Sequence, residues 1–171
     1  MVNPAEKIIT DYDTLKKILD EHRARGEKIV FTNGGFDLFH VGHVRSLVDA
    51  ARHADVLVVA LNDDQSIRGN KGDHLPVNCL EERMEVLAAL ECVDYVTSFG
   101  ETTVDSLLLK LKPDYHAKGT DYTKETVPER DTVLSYGGEI LIVGDPKDHS
   151  STSLMEKVAK AFEKDRDRRK Q

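Results

Sequence analysis

The most chemically suggestive stretch of this 171-residue sequence is Asn33-Gly34-Gly35-Phe36-Asp37-Leu38-Phe39-His40-Val41-Gly42-His43. His40 and His43 lie three positions apart, and Gly42 keeps the space between them free of a side chain. Imidazoles donate hydrogen bonds to phosphate oxygens, and adjacent glycines let backbone approach a ligand closely. The stripe Val44, Leu47, Val48 and Ala51 follows at helical spacing, so the histidines fall where a helix begins. A helix N-terminus presents free N–H groups and positive partial charge, which favours phosphate. Two plainer readings compete. An isolated HxxH is ordinarily a turn with incidental histidines, and a shared zinc needs a third ligand that is not evident.

Four further segments carry groups of the same kind. Asn62-Asp63-Asp64 follows a second apolar run, and Asn70-Lys71-Gly72-Asp73 reads as a flexible loop. One lysine on such a loop can bring a mobile cation over phosphates, or be a solvated surface charge. Arg83 sits on a helical stripe between Glu82 and Glu85, either as a surface charge or as a phosphate or substrate contact. Lys118-Gly119-Thr120-Asp121-Tyr122 closes a fourth apolar run. Ser150-Ser151-Thr152-Ser153 precedes the last helix, so one of its hydroxyls is a natural N-cap. Cys79 and Cys92, thirteen apart, form no CxxC pair and read as buried inert thiols. Glu81, Glu82 and Glu85 read as a solvated helix face.

The elements that must position these groups alternate between two periodicities. Strands are predicted over 28–33, 55–62, 93–99, 114–118 and 139–143, several of them apolar almost throughout, as suits strands covered on both faces. Helical stripes lie between them. Leu15, Ile18, Leu19 and His22 follow a capping box read at Thr10 and Asp13. Leu80, Met84, Leu87 and Ala88 follow Asn78 as N-cap, and Val104, Leu107, Leu108 and Leu111 end before Pro113. The last stripe is Leu154, Met155, Val158 and Phe162. Alternation of this kind predicts a single α/β Rossmann-like domain over 1–162, a five-stranded parallel sheet with helices on both faces. Residues 1–27 read as a lead-in helix and 163–171 as a charged flexible tail. Ligands of such sheets bind beyond the carboxyl ends of the strands at the topological switch point, here after strands one and four.

Composition narrows the partners. The net charge is −7, and residues 61–160 carry 19 acids against 11 bases. An acidic balance argues against general nucleic-acid binding and against attachment to an anionic membrane. The first thirty residues contain no apolar signal region and no run approaches the ~20 apolar residues of a membrane span, so a cytoplasmic protein is expected.

The glycine- and histidine-bearing string resembles the signature of the nucleotidyltransferase superfamily, whose HxGH motif binds a nucleotide triphosphate. The resemblance extends through LNDDQSIRGNKG, EERMEVLAALECVDYV, KPDYHAKGTDY, SYGGEILIV and HSSTSL. In that order these segments look like the adenylyltransferase domains of ADP-heptose synthases. Gly35 stands where many relatives have Cys, and Thr120 where many have a second Gly. The loop 144–149 is more polar than the family pattern leads one to expect.

The resemblance implies transfer of AMP from ATP to a sugar 1-phosphate, heptose 1-phosphate, with release of pyrophosphate. It implies His40, His43 and Lys71 as catalytic residues. Gly34, Gly35, Phe36, Asp37, Gly42, Lys118, Gly119, Ser151, Thr152 and Ser153 would join the histidines around the nucleotide. Asn62, Asp63, Arg83 and Asp121, with Lys71, would meet the acceptor. Mg²⁺ would arrive with ATP rather than in a protein cage. Relatives often form homodimers and often carry a fused sugar kinase, which would here be a separate chain. The alternatives are cytidylyl transfer to glycerol 3-phosphate, adenylyl transfer to FMN or a pantetheine phosphate, and a nucleotide sensor without chemistry.

Overall fold

The computed structural model describes residues 3–146 and 149–168. Five strands run parallel in one sheet: β1 (Ile29–Gly34), β2 (Val56–Asn62), β3 (Tyr95–Phe99), β4 (Tyr115–Gly119) and β5 (Glu139–Val143). Their spatial order is β3-β2-β1-β4-β5. The connecting helices are α1 (Tyr12–Ala24), α2 (Val41–Ala51), α3 (Asp64–Lys71), α4 (Leu80–Ala88), α5 (Asp105–Leu111), α6 (Arg130–Ser135) and α7 (Ser151–Arg168). The expected α/β class, Rossmann-like topology and strand count hold.

The apolar continuity of the strands has the expected cause. β2 has six consecutive buried residues, which only a sheet covered on both faces can give. Side chains alternate along β1, so Ile29 and Phe31 join Leu15, Leu19, Leu108 and Val133 on one face. Val30 instead joins Leu47, Val59, Leu87 and Val143 on the other. Helices α1, α5 and α6 therefore cover one side, and α2 and α4 the other. Each fully buried leucine here stabilises the fold by about 1.5–3 kcal/mol.

Several details differ from the sequence expectation. The cap of α1 falls one residue beyond Thr10, because the Asp11 carboxylate accepts the Thr14 N–H at 2.7 Å and makes Asp11 the N-cap. α4 is capped by Cys79, whose carbonyl accepts the first helical bond from Arg83 N–H, while Asn78 N–H is donated to Asp37. Cys79 is accordingly exposed rather than buried, and Cys92 only half-buried. Of the expected loop 70–73, Asn70 and Lys71 belong instead to α3, which is capped by the Asp63 carboxylate on Ser66 N–H. Only Ile67 of that helix is buried, so no stripe marked it.

Both ends of the chain are also more organised than expected. Ile9 N–H donates to Val96 O, and Lys7 Nζ donates to Leu90 O and Val93 O, so the N-terminal segment seals the β3 edge. α7 continues past residue 162 to Arg168, replacing the first part of the predicted flexible tail; 169–171 lie outside the described residues. Among the described residues no helix is long and apolar enough to cross a membrane.

From β1 the sheet grows through β2 to β3 in one direction. The chain then returns across the sheet and places β4 on the other side of β1. The strand order thus reverses between β1 and β4, and a crevice opens beyond their carboxyl ends.

Candidate active site

The crevice, of about 370 Å³, is lined on its floor by Thr32 to Phe36 and Gly119 to Asp121. Its sides come from the starts of α2 and α7 and the end of α3. The loop from β1 to α2 is strained to fit: Phe36 and Leu38 have φ of 49° and 46°, a region non-glycine residues avoid. Two ties hold it. The Asp37 carboxylate accepts N–H bonds from Leu38, Val77 and Asn78. Arg83, 2% exposed, reaches behind the loop and donates to the carbonyls of Gly35, Asn62 and Asn78 and to the Asp64 carboxylate. Its helical spacing suggested a substrate contact or a surface charge; it is a buried tie.

That loop delivers His40 and His43. Their rings stack at 3.8 Å between centroids, 19° apart in plane. Face-to-face rings cannot aim lone pairs at one ion, which disposes of the shared-zinc reading. His43 is also walled in by Phe36 and Phe39, each 5.3 Å from its ring. Burial, with His40 and the Lys71 charge as smaller causes, pushes its pKa down to about 4. His43 is therefore neutral at pH 7. Its Nδ1 accepts the backbone N–H of His40 at 3.3 Å, so its one proton lies on Nε2. The result is a fixed, uncharged hydrogen-bond donor. Burial, then His149, depresses His40 as well.

Gly42 has a steric reason at this point. A Cβ there would lie 3.0 Å from the His40 ring and 3.4 Å from His149 Cβ. The stacked ring has little freedom to yield, so the glycine keeps both imidazoles in place.

The start of α7 forms the opposite side. Ser150 is its N-cap, and Ser150 and Ser153 bond each other's backbone N–H groups reciprocally. Ser153 is thus committed to the cap and lies outside the crevice lining. Ser151 Oγ donates to the Asp37 carbonyl, fastening α7 to the motif loop. Of the three expected hydroxyls, Thr152 alone lines the crevice without a hydrogen-bond partner among the described residues. The first turns of both helices line the same space, and free N–H groups at helix starts favour an anion.

The crevice brings together most of the residues singled out in the sequence. Gly34, Gly35, Phe36, His40, Gly42, His43, Lys71, Gly119, Asp121, Ser151 and Thr152 all line it. Lys71 does so from the last turn of α3, before Gly72 ends the helix with φ of 99°. Asn62, Asp63, the Asp37 side chain, Arg83, Lys118 and Ser153 are not among its lining; they build its frame. Lys118 ion-pairs with Glu129 at 3.3 Å and donates to Asn33 Oδ1 at 3.2 Å.

Further lining residues were given no site role from the sequence, among them Arg45, Thr120, Asp145, His149 and Asn33. Arg45 and Asp145 form an ion pair at 2.7 Å across the mouth, and Thr120 Oγ1 donates to the Asp145 carbonyl. His149 and Asn33 also line the space. The polar loop after β5 was the available signal for Asp145 and His149; Lys147 and Asp148 of that loop lie outside the described residues.

Comparison with known proteins agrees with this arrangement. The cytidylyltransferase-like family profile matches residues 31–157. The chain belongs to the cytidylyltransferase-like family. It is 46% identical over 154 residues to the bifunctional protein HldE of Geobacter metallireducens, covering 90% of this chain and 31% of that protein. To the bifunctional protein HldE of Hahella chejuensis it is 49% identical over 148 residues, covering 86% and 31%. The chain thus spans about a third of the length of these relatives.

Among solved structures, a lipopolysaccharide core biosynthesis protein from Thermoplasma volcanium superposes with a TM-score of 0.63 at 23% identity, covering 71% of this chain and all of that one. A pantoate-β-alanine ligase from Francisella tularensis gives 0.61 at 17% identity, covering 84% and 68%. At those identities the likeness is one of fold. Every group that defines the crevice lies between residues 32 and 152, inside the matched span.

Proposed function

We propose that this chain transfers AMP from ATP to a sugar 1-phosphate, heptose 1-phosphate, and releases pyrophosphate. The observation that carries the reading is His43: a neutral imidazole whose tautomer is fixed with Nε2–H as donor, beside two helix N-termini and Lys71 in one crevice. The similarity to the bifunctional HldE proteins supports the choice of acceptor.

The chemistry follows from the charges. An oxygen of the sugar 1-phosphate attacks the α-phosphorus of ATP in line; the bond from that phosphorus to the bridging oxygen breaks, and its electron pair leaves on pyrophosphate. The nucleophile is already an anion, so the site needs no general base, which suits a histidine kept neutral with its proton turned outward. Stabilisation of the pentavalent α-phosphate by His43 Nε2–H, and of the leaving pyrophosphate by Lys71, Thr152 and the first turn of α7, then supplies the rate. Mg²⁺ belongs to the nucleotide in this reading. The described residues include no group of three or more His, Cys, Asp or Glu side chains able to cage a metal.

The family's name makes CTP the second nucleotide to test. Pyrophosphate release is to be measured with ATP, CTP and GTP against heptose 1-phosphate, glycerol 3-phosphate, FMN and pantetheine phosphate. ATP with heptose 1-phosphate is expected to be fastest. Faster turnover of CTP with glycerol 3-phosphate would replace the substrate assignment. Tight ATP binding with no turnover on any acceptor would make the protein a nucleotide sensor instead.

A further inference from the structure

The floor of the crevice between β1 and β4 is wired to a buried charge cluster that phosphate binding does not require. Glu129, at the start of α6, is 6% exposed, and among the described residues its carboxylate accepts one hydrogen bond, from Lys118 Nζ at 3.3 Å. His116, fully buried and stacked on Phe31, stands 3.6 Å from the other carboxylate oxygen, and neither of its ring nitrogens has a hydrogen-bond partner. Burial opposes ionisation of Glu129, but His116 and Lys118 beside it outweigh burial and hold its pKa at about 2. Lys118 is thus a cation neutralised from behind. Its ammonium also donates to Asn33 Oδ1 at 3.2 Å.

This last bond fixes the direction of an amide. An ammonium can only donate, so the Asn33 side chain must turn its oxygen toward Lys118 and its NH₂ away. Asn33 lines the crevice, and no described residue accepts from that NH₂. The flipped amide would set N–H against N–H. Glu129 therefore dictates, through Lys118, that Asn33 shows the ligand a donor.

The surroundings say which kind of oxygen it meets. Along this side of the crevice, just after β4, stands Asp121, while the histidines and Lys71 come from the helices and the Asp145 carboxylate is paired with Arg45 of α2. A donor in an electrically compensated, carboxylate-bearing setting suits an uncharged oxygen better than another phosphate. We infer that Asn33 is a specificity-determining contact to a sugar hydroxyl of the bound substrate, and that Glu129 is the positioning residue that aims it through Lys118. The hydroxyl belongs either to the ribose of the nucleotide or to the acceptor sugar. The inference rests on the transfer reading above and deepens it.

The test is the separate KM for ATP and for heptose 1-phosphate in Asn33→Asp, Glu129→Gln and the double variant, with melting temperatures as a check on folding. Asn33→Asp keeps the shape, removes the donor, and is expected to raise one of the two KM values about ten- to a hundredfold. The substrate whose KM rises is the one contacted; if it is ATP, 2′-deoxy- or 3′-deoxy-ATP will be insensitive to the substitution. Glu129→Gln should raise the same KM about three- to tenfold, and the double variant should be no worse than Asn33→Asp alone. Both KM values within twofold of wild type in Asn33→Asp would overturn the contact, and that variant suffices if Glu129→Gln does not fold. A loss of turnover and stability in Glu129→Gln with both KM values unchanged would reduce Glu129 to a structural part. Wild type without turnover would instead reject the transfer reading. Calorimetric titration with ATP would then decide the contact: a weaker Kd in Asn33→Asp retains it, and an equal one overturns it.

Discussion

The two sides of the crevice handle charge in opposite ways. The helical side, made by the starts of α2 and α7 and the end of α3, carries His40, His43, Lys71 and Thr152, none of which has an acidic partner among the described residues, and Arg45, which pairs with Asp145. The strand side, at the ends of β1 and β4, has its lysine neutralised by Glu129 and adds Asp121. In the proposed reading, anions complete the first side and an uncharged group meets the second. A net charge of −7 therefore says little about small ligands, because what matters is which few groups converge.

The comparison is broken most severely by removing what supports the helical side. Arg83→Met leaves three backbone carbonyls and the Asp64 carboxylate without their donor, and should cost about 3–5 kcal/mol of stability in urea unfolding. A variant as stable as wild type, with only acceptor KM raised, would return Arg83 to the role of a ligand contact. His43→Ala touches the chemistry directly. Turnover should fall about 10²–10³-fold with a melting temperature near that of wild type, and a folded variant with full turnover would sink the mechanism.

Two smaller effects sharpen the contrast. Thr152→Val should lower turnover about tenfold, whereas Ser153→Ala should act chiefly on stability, by about 1 kcal/mol, because its hydroxyl caps α7. Equal kinetic losses in both would mean that the cap and the phosphate contact are not separate.

The pH dependence has a definite sign. The pKa of His43 is about 4 when folded and near the ordinary 6.5 when unfolded, so below pH 6.5 only the unfolded chain takes up this proton. Stability should therefore fall as pH drops from about 6.5 to 4, and His43→Gln should flatten that part of the decline by roughly 1–2 kcal/mol. Glu129, also depressed, acts lower: its contribution is present above about pH 4.5 and is lost as pH falls toward 2. Parallel urea curves for wild type and His43→Gln at pH 7, 6, 5 and 4.5 check the first window; identical slopes would contradict the buried neutral histidine.

How legible the molecule was depended on how local each signal is. β5 matched its predicted bounds and the other strands shifted by a residue or two, because period and β-branching are properties of the segment itself. α3 and α6 stayed hidden, each burying a single residue and so leaving no stripe. The histidines, the glycine between them and the serine-rich helix start were readable because their spacing is local. Their division of labour was not: Ser153 and Thr152 look alike in sequence, and only the cap separates them.

By itself, the sequence determined the fold class, the switch-point location and which loop and helix starts meet there, since periodicity and helix termini are encoded over a few consecutive residues. Tertiary structure alone decided that Arg83 is a buried tie, that His43 is neutral with its proton on Nε2, and that Lys118 is balanced by Glu129. Each of these depends on a partner or a wall supplied from another element. Hydrogen-bond direction and desolvation are set by what lies across space, and no spacing along the chain carries that information.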